Sequence, residues 1–200
     1  MKLPQNLHTS LALFVLFTAC RSSSEAAAPV APAQESLDPV ALEAPATEVD
    51  WLETARQLGV SNPSMPEPWL LCSGQLDELQ FGTFARSGYK SFINLRTPGE
   101  RGTGWEAEMA ASLGVSYLNL PVAGAAGIDE ANARLLASAL AEAERPVALY
   151  CGSSNRAGAL YGLSAFYTQD KSAEESLALA QAAGMTSLKP RLMQILGLSE

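Results

Sequence analysis

Cys151 and Arg156 stand either side of four small or polar residues, Gly152-Ser153-Ser154-Asn155, where an apolar run gives way to a helical pattern. The run Val147-Ala148-Leu149-Tyr150, behind Pro146, has the composition of a buried parallel strand. The stretch AGALYGLSAFY after Arg156 reads as a helix. A strand–loop–helix unit of this kind turns backbone N–H groups and the positive end of the helix dipole into the loop. A thiol placed there is drawn toward thiolate, because nearby positive charge stabilises the anion. Arg156 adds a planar, permanently charged fork that can hold an oxyanion through two hydrogen bonds. Two chemistries are open to the pair. A Cys151 thiolate can attack phosphorus and form a phosphocysteine that water then hydrolyses, with Arg156 and the N–H groups of Gly152, Ser153, Ser154 and Asn155 binding the anion. The same thiolate can take a sulfane sulfur and become a persulfide. A buried, inert thiol is the competing role of any free cysteine.

The elements that must position this pair alternate along the chain. Short apolar strands are expected at residues 69–72, 90–95, 115–120 and 146–150. Helices are expected at 51–60, 76–87 (closed by Gly88), 105–113 (closed by Gly114), 128–144, after Arg156, at 172–183 and at 188–196. SNPSMPEPW, residues 61–69, reads as a proline-rich loop. Such alternation predicts a three-layer α/β domain, a mainly parallel central sheet flanked by helices on both faces. Ligands in these folds bind beyond the carboxyl ends of the strands, which gathers the loops after Leu95, Leu120 and Tyr150 around Cys151. Hydrolysis of an alkyl ester also needs a proton donor. The stretch Pro121 to Gly127 carries no carboxylate, so Asp129 and Glu130 are the nearest candidate acids, although their position suits helix capping better. Glu100 and Glu106 are more distant candidates. Arg96 ends a strand beside the site, where the residues alone suggest a surface ion pair with Glu100 or Glu106. Cys72 is either a core residue of its strand or a disulfide partner of Cys151.

Ser73-Gly74-Gln75, the strand Phe92-Ile93-Asn94-Leu95-Arg96, Leu120-Pro121-Val122 and the Cys151 loop resemble, in order and approximate spacing, the phosphatase-like domain of beta-lactamase hydrolase-like proteins. The resemblance covers roughly Trp69 to Pro190. It implies a protein-tyrosine-phosphatase-like fold, Cys151 as nucleophile, Arg156 as oxyanion clamp and an anion-facing or bracing role for Arg96. The Cys-x4-Arg spacing matches the length of rhodanese loops and is one residue shorter than that of ordinary tyrosine phosphatases, so a rhodanese-like sulfurtransferase is the first rival function. The family loop resembles Cys-Arg-Ser-Gly-Thr-Arg-Ser. Here Gly152 removes a positive charge, Ser154 replaces a glycine that supplies positive φ cheaply, and Ala157 replaces a hydroxyl residue. Asn155 is the neighbour expected to take up the left-handed conformation. These departures leave a catalytically silent anion- or protein-binding lipoprotein as the second rival.

The composition narrows the field. With 48% hydrophobic residues the chain can bury a core, and a net charge of −8 argues against nucleic acid or an anionic membrane surface as a polyelectrolyte partner. The single histidine, His8, precedes the folded region, so a Ser-His-Asp triad, a Cys-His dyad and histidine-ligated metal are excluded within it. No metal or other cofactor is implied, and the expected ligand is a small oxyanion or phosphorylated substrate. Residues 1–19 have the short apolar core of a signal peptide, and Phe17-Thr18-Ala19-Cys20 resembles a lipobox with Cys20 as the lipidated residue. Residues 20–50, rich in Ala, Pro, Ser and Glu, read as a disordered tether. The expected organisation is a lipid-anchored protein of a bacterial envelope, on its periplasmic or extracytoplasmic side, carrying its domain on residues 51–200.

Overall fold

The computed structural model describes residues 50–199. The expected signal peptide, Cys20 and all but the last residue of the expected tether lie outside the described residues. Asp50, read above as that last residue, caps the first helix instead, its carboxylate accepting the Glu53 N–H at 3.0 Å.

The chain runs through α1 (Trp51–Gln57), β1 (Ser64–Glu67), β2 (Leu70–Ser73), α2 (Glu78–Arg86), β3 (Ser91–Asn94), α3 (Glu106–Leu113), β4 (Ser116–Asn119), α4 (Glu130–Glu142), β5 (Val147–Tyr150), α5 (Asn155–Thr168), α6 (Ala173–Ala182) and α7 (Lys189–Leu196). The sheet order is β1-β2-β5-β3-β4, parallel except where β1 runs antiparallel to β2. Every residue of β2, β3 and β5 is buried, so their apolar residues come in consecutive runs rather than alternating, with the polar Ser73, Ser91 and Asn94 at strand ends. In register, Leu149 lies between Cys72 and Ile93, and Tyr150 between Ser73 and Asn94. The chain therefore delivers Cys151 from the middle of the sheet, with a strand on each side.

Two apolar layers cover the sheet. One packs Phe81, Phe84 and Ala110 of α2 and α3, with Ala55 of α1, on Leu71, Phe92, Ala148 and Tyr150. The other packs α4 to α7 on Leu70, Ile93, Val147 and Leu149. This is the expected three-layer arrangement. Helix α5 is buried continuously from Ala157 to Ala165, and its two glycines let α6 come close. A Cβ on Gly158 would lie 2.6 Å from both the Ala180 carbonyl and the Met185 nitrogen.

Two expectations are corrected. The stretch Ser64–Glu67 is a strand, not loop; Pro66 is tolerated because β1 is an edge strand whose register shifts between Ser64 and Glu67. Helix α2 ends on Ser87, with Gly88 beyond it at φ 118°, whereas α3 ends as expected on the left-handed Gly114. Among the described residues no helix is long and apolar enough to cross a membrane, and no group of metal-ligating side chains is assembled.

Candidate active site

Cys151 closes β5 and donates its N–H to the Ser73 carbonyl at 3.2 Å, so the sheet itself fixes the start of the loop. Gly152 and Ser153 are exposed at the mouth, while Cys151 is only 1% exposed and shares the apolar layer with Ala157 and Leu149. The turn into α5 is made by Ser154 at φ 67°, not by Asn155. A serine in that region costs about 1–2 kcal/mol relative to right-handed backbone. The conformation is offset by a buried hydrogen bond in which its hydroxyl donates to the Ala183 carbonyl at 3.1 Å. Asn155 is helical, and its side-chain oxygen accepts N–H bonds from Thr186 (2.8 Å) and Ser187 (2.7 Å), fastening the loop to the segment between α6 and α7. Asn62 fastens the other side, donating to the carbonyls of Ser153 (3.1 Å) and Gly184 (2.9 Å). Ser154 makes no side-chain cap bond. Among the described residues the N–H groups of Gly152, Asn155 and Arg156 donate to no backbone acceptor outside the helix ladder, leaving donors for an anion at the positive end of a fourteen-residue helix.

Arg156 is where the three loops meet. Its Nη1 donates to the carbonyls of Val122 (2.9 Å) and Leu95 (3.4 Å), and Nη1 and Nη2 each lie 2.6 Å from one oxygen of Glu100. The side chain is 13% exposed and turned inward. Glu100 thus takes the end of the fork, while the edge formed by Nε and the second Nη2 proton has no carboxylate on it among the described residues. That edge suits two oxygens of a tetrahedral anion. The Glu100 hydrogen bond first, and then Cys151 through charge and a side-chain hydrogen bond, raise the pKa of Arg156 against the opposing effect of burial. Reciprocally, the Arg156 hydrogen bond above all holds the Glu100 carboxyl at about 2, below its usual 4.5.

Arg96 does not reach for the anion. It is 5% exposed, and its guanidinium donates to Glu100 (3.3 Å) and to the carbonyls of Arg101 (2.6 Å) and Gly102 (3.5 Å), wrapping residues 97–102 around itself. The Thr97 N–H reaches the same carboxylate at 2.8 Å. Of the roles open to Arg96, bracing is the one these bonds serve, and the surface ion pair is excluded by burial. Asp129 sits at the N-cap of α4, its carboxylate accepting the Asn132 N–H at 2.8 Å. Glu106 is buried and held by the side chain of Asn94 (3.0 Å) and the Gly104 N–H (2.7 Å). Cys72 is fully buried in β2, and both it and Cys151 are free thiols. Burial, and then the charge of Cys151, push the Cys72 thiol up and make it a poor nucleophile. Sequence reasoning missed Asn62 altogether and weighed Glu100 only as an acid or as a surface partner of Arg96, not as the holder of Arg156. The one signal for Glu100 was its place four residues after Arg96 in a Pro-Gly turn.

This sheet order and a cysteine–arginine loop between β5 and a buried helix define a protein-tyrosine-phosphatase-like α/β domain. Solved structures share it. A candidate phosphatase from Neisseria meningitidis superposes with a TM-score of 0.54 at 24% identity, covering 66% of this chain and 96% of its own. Pseudomonas aeruginosa TpbA in complex with pTyr gives 0.52 at 20%, covering 66% and 81%. The core catalytic domain of the PP-IP phosphatase SIW14 from S. cerevisiae, in complex with citrate, gives 0.50 at 16%, covering 68% and 86%. At sequence level, residues 67–168 match the family described as beta-lactamase hydrolase-like protein, phosphatase-like domain, and the chain belongs to that family. The beta-lactamase hydrolase-like protein of Xylella fastidiosa is 40% identical over 119 residues, 58% of this chain and 27% of its own. That of Agrobacterium fabrum is 37% identical over 98 residues, 47% and 22%. The match therefore spans about a quarter of those relatives' length.

Proposed function

We propose that the domain is a cysteine-dependent phosphatase-like hydrolase in which Cys151 is the nucleophile, Arg156 the oxyanion clamp and the N–H groups of the 152–156 loop the cradle. The observation that carries this reading is the posture of Arg156, held by Glu100 and two carbonyls so that one edge of its fork stays open beside Cys151. In the first step sulfur bonds to phosphorus and the phosphorus–oxygen bond to the leaving group breaks. Water then cleaves the phosphorus–sulfur bond and releases phosphate. The ligands of two structural neighbours, pTyr and citrate, are oxyanions, which agrees with an oxyanion or phosphorylated substrate here.

A second reading, sulfur transfer, is favoured by a specific observation. Glu100 is tied to Arg156, Glu106 to Asn94 and Gly104, and Asp129 to the cap of α4. A leaving group that needs a proton is poorly served unless Asp129 abandons its cap. Attack of the Cys151 thiolate on the outer sulfur of thiosulfate needs none: the sulfur–sulfur bond breaks, sulfite leaves and a persulfide remains. The two readings separate in one experiment. The chain is incubated with p-nitrophenyl phosphate, whose leaving group needs little protonation, and in parallel with thiosulfate followed by mass spectrometry of Cys151. Phosphate release lost in Cys151→Ser supports the hydrolase. A persulfide on Cys151 without phosphate release supports sulfur transfer. Phosphate binding with neither reaction identifies the silent anion-binding module and overturns both. We further propose lipidation of Cys20 and attachment to a bacterial envelope membrane, supported by the sequence around that residue.

A further inference from the structure

At the end of the domain opposite Cys151, where the chain enters β2 and β5, α4 and α5 stand over a cavity of about 780 Å³. That volume lies in the range of small-molecule sites, about 300–1,000 Å³. Glu67, Trp69, Leu140, Ala141, Arg145 and Tyr161 are among its lining residues. The Arg145 guanidinium lies 3.8 Å from the centre of the Trp69 ring. This cation–π contact restrains the guanidinium without using its N–H groups, and among the described residues no carboxylate pairs with it. The second arginine at the cavity, Arg134, is taken up by Glu130 (2.8 Å) and the Tyr167 carbonyl (3.1 Å). Also in the lining, the Tyr161 hydroxyl donates to Glu67 at 3.2 Å. One fork free of a carboxylate partner therefore faces a space lined by apolar groups of Leu140, Ala141 and Tyr161 together with the polar Ser138, Ser164, Thr168 and Gln169.

We propose that this cavity is a second ligand site, distinct from the Cys151 loop, and that it binds a small monocarboxylate carried on an apolar body. The carboxylate oxygens lie on the Arg145 fork, the geometry a planar guanidinium recognises bidentately, and the body lies against Leu140, Ala141 and Trp69. Glu67 repels a second negative charge, which selects a carboxylate over a phosphate dianion.

The test uses the full chain labelled with ¹⁵N and follows the indole N–H signals of Trp51, Trp69 and Trp105 during titration with benzoate. A saturable shift of the Trp69 signal alone is expected, with weaker binding of acetate, which lacks the apolar body, and none of benzylamine. Arg145→Gln and Arg145→Lys should each weaken benzoate at least tenfold, the lysine because it keeps charge but loses the fork. Glu67→Gln should tighten it. Ala141→Trp, at an exposed helix position, should fill the space and abolish binding while the other indole signals stay in place. No saturable shift, undiminished affinity in Arg145→Gln, or a saturable Trp69 shift with inorganic phosphate at concentrations as low as with benzoate would overturn the proposal.

Discussion

At the residue scale the site turns on a division of labour within one guanidinium. Glu100 holds the end of the Arg156 fork and leaves the other edge for an anion. Replacing it with glutamine keeps the shape but loses the charge and one acceptor oxygen, so Arg156 should swing. Turnover of whichever substrate is accepted should then fall on the order of 100-fold, as misplacement of a positioning contact does, with kcat falling further than KM rises. Partial restoration in Glu100→Asp is expected and would mark a charge requirement. The pH sign follows from the depressed carboxyl. Its folded pKa of about 2 lies below the usual 4.5, so what Glu100 adds to stability is fully present above about 4.5 and is lost as pH falls toward 2. Urea unfolding of wild type and Glu100→Gln should differ at neutral pH and converge in that acidic window. A constant difference across it would contradict the assignment.

At the element scale the loop is held by its surroundings more than by its own sequence. Ser154 keeps its positive φ because it is sealed under Ala183 and Gly184, and Asn155 and Asn62 tie the loop to the chain beyond α6 and to the segment before β1. Asn155→Ala should therefore free both N–H groups at 186 and 187 to water, costing about 0.5–1.5 kcal/mol of stability for each bond lost by chemical denaturation and loosening the anion loop. Packing of α5 on α6 depends on a missing Cβ. Gly158→Ala would drive a methyl group into the backbone at Ala180 and Met185, and should cost about 1–3 kcal/mol or more through overpacking. The same substitution at the exposed Gly99, which meets nothing within 4 Å, is the control and should be near neutral.

At the scale of the whole molecule, the parallel sheet buries β2, β3 and β5 on both faces and puts the chemistry of one loop at one end and the Arg145 cavity at the other. Membrane attachment belongs to this scale too. If Cys20 carries lipid, Cys20→Ser should move the full chain from the membrane to the soluble fraction of bacterial cells without changing the activity of the domain. An unaltered membrane fraction would refute the anchor.

The strand–loop–helix around Cys151, the arginine five residues on, and the alternation that forces a three-layer sheet were legible because they are local: apolar runs, glycine caps and fixed spacing. The edge strand β1, interrupted by Pro66, was not, since it exists only by pairing with β2. Nor could the chain order reveal that residue 154 rather than 155 carries the positive φ, because the deciding contact comes from Ala183, twenty-nine residues away. Glu100 and Arg156 lie fifty-six residues apart, and only the crossover that seats β5 between β2 and β3 brings them together. Sequence alone determined which atoms are chemically capable. Tertiary structure decided which of them are held, which are occupied and which are left facing an open edge, because hydrogen-bond partners are assigned by proximity in space.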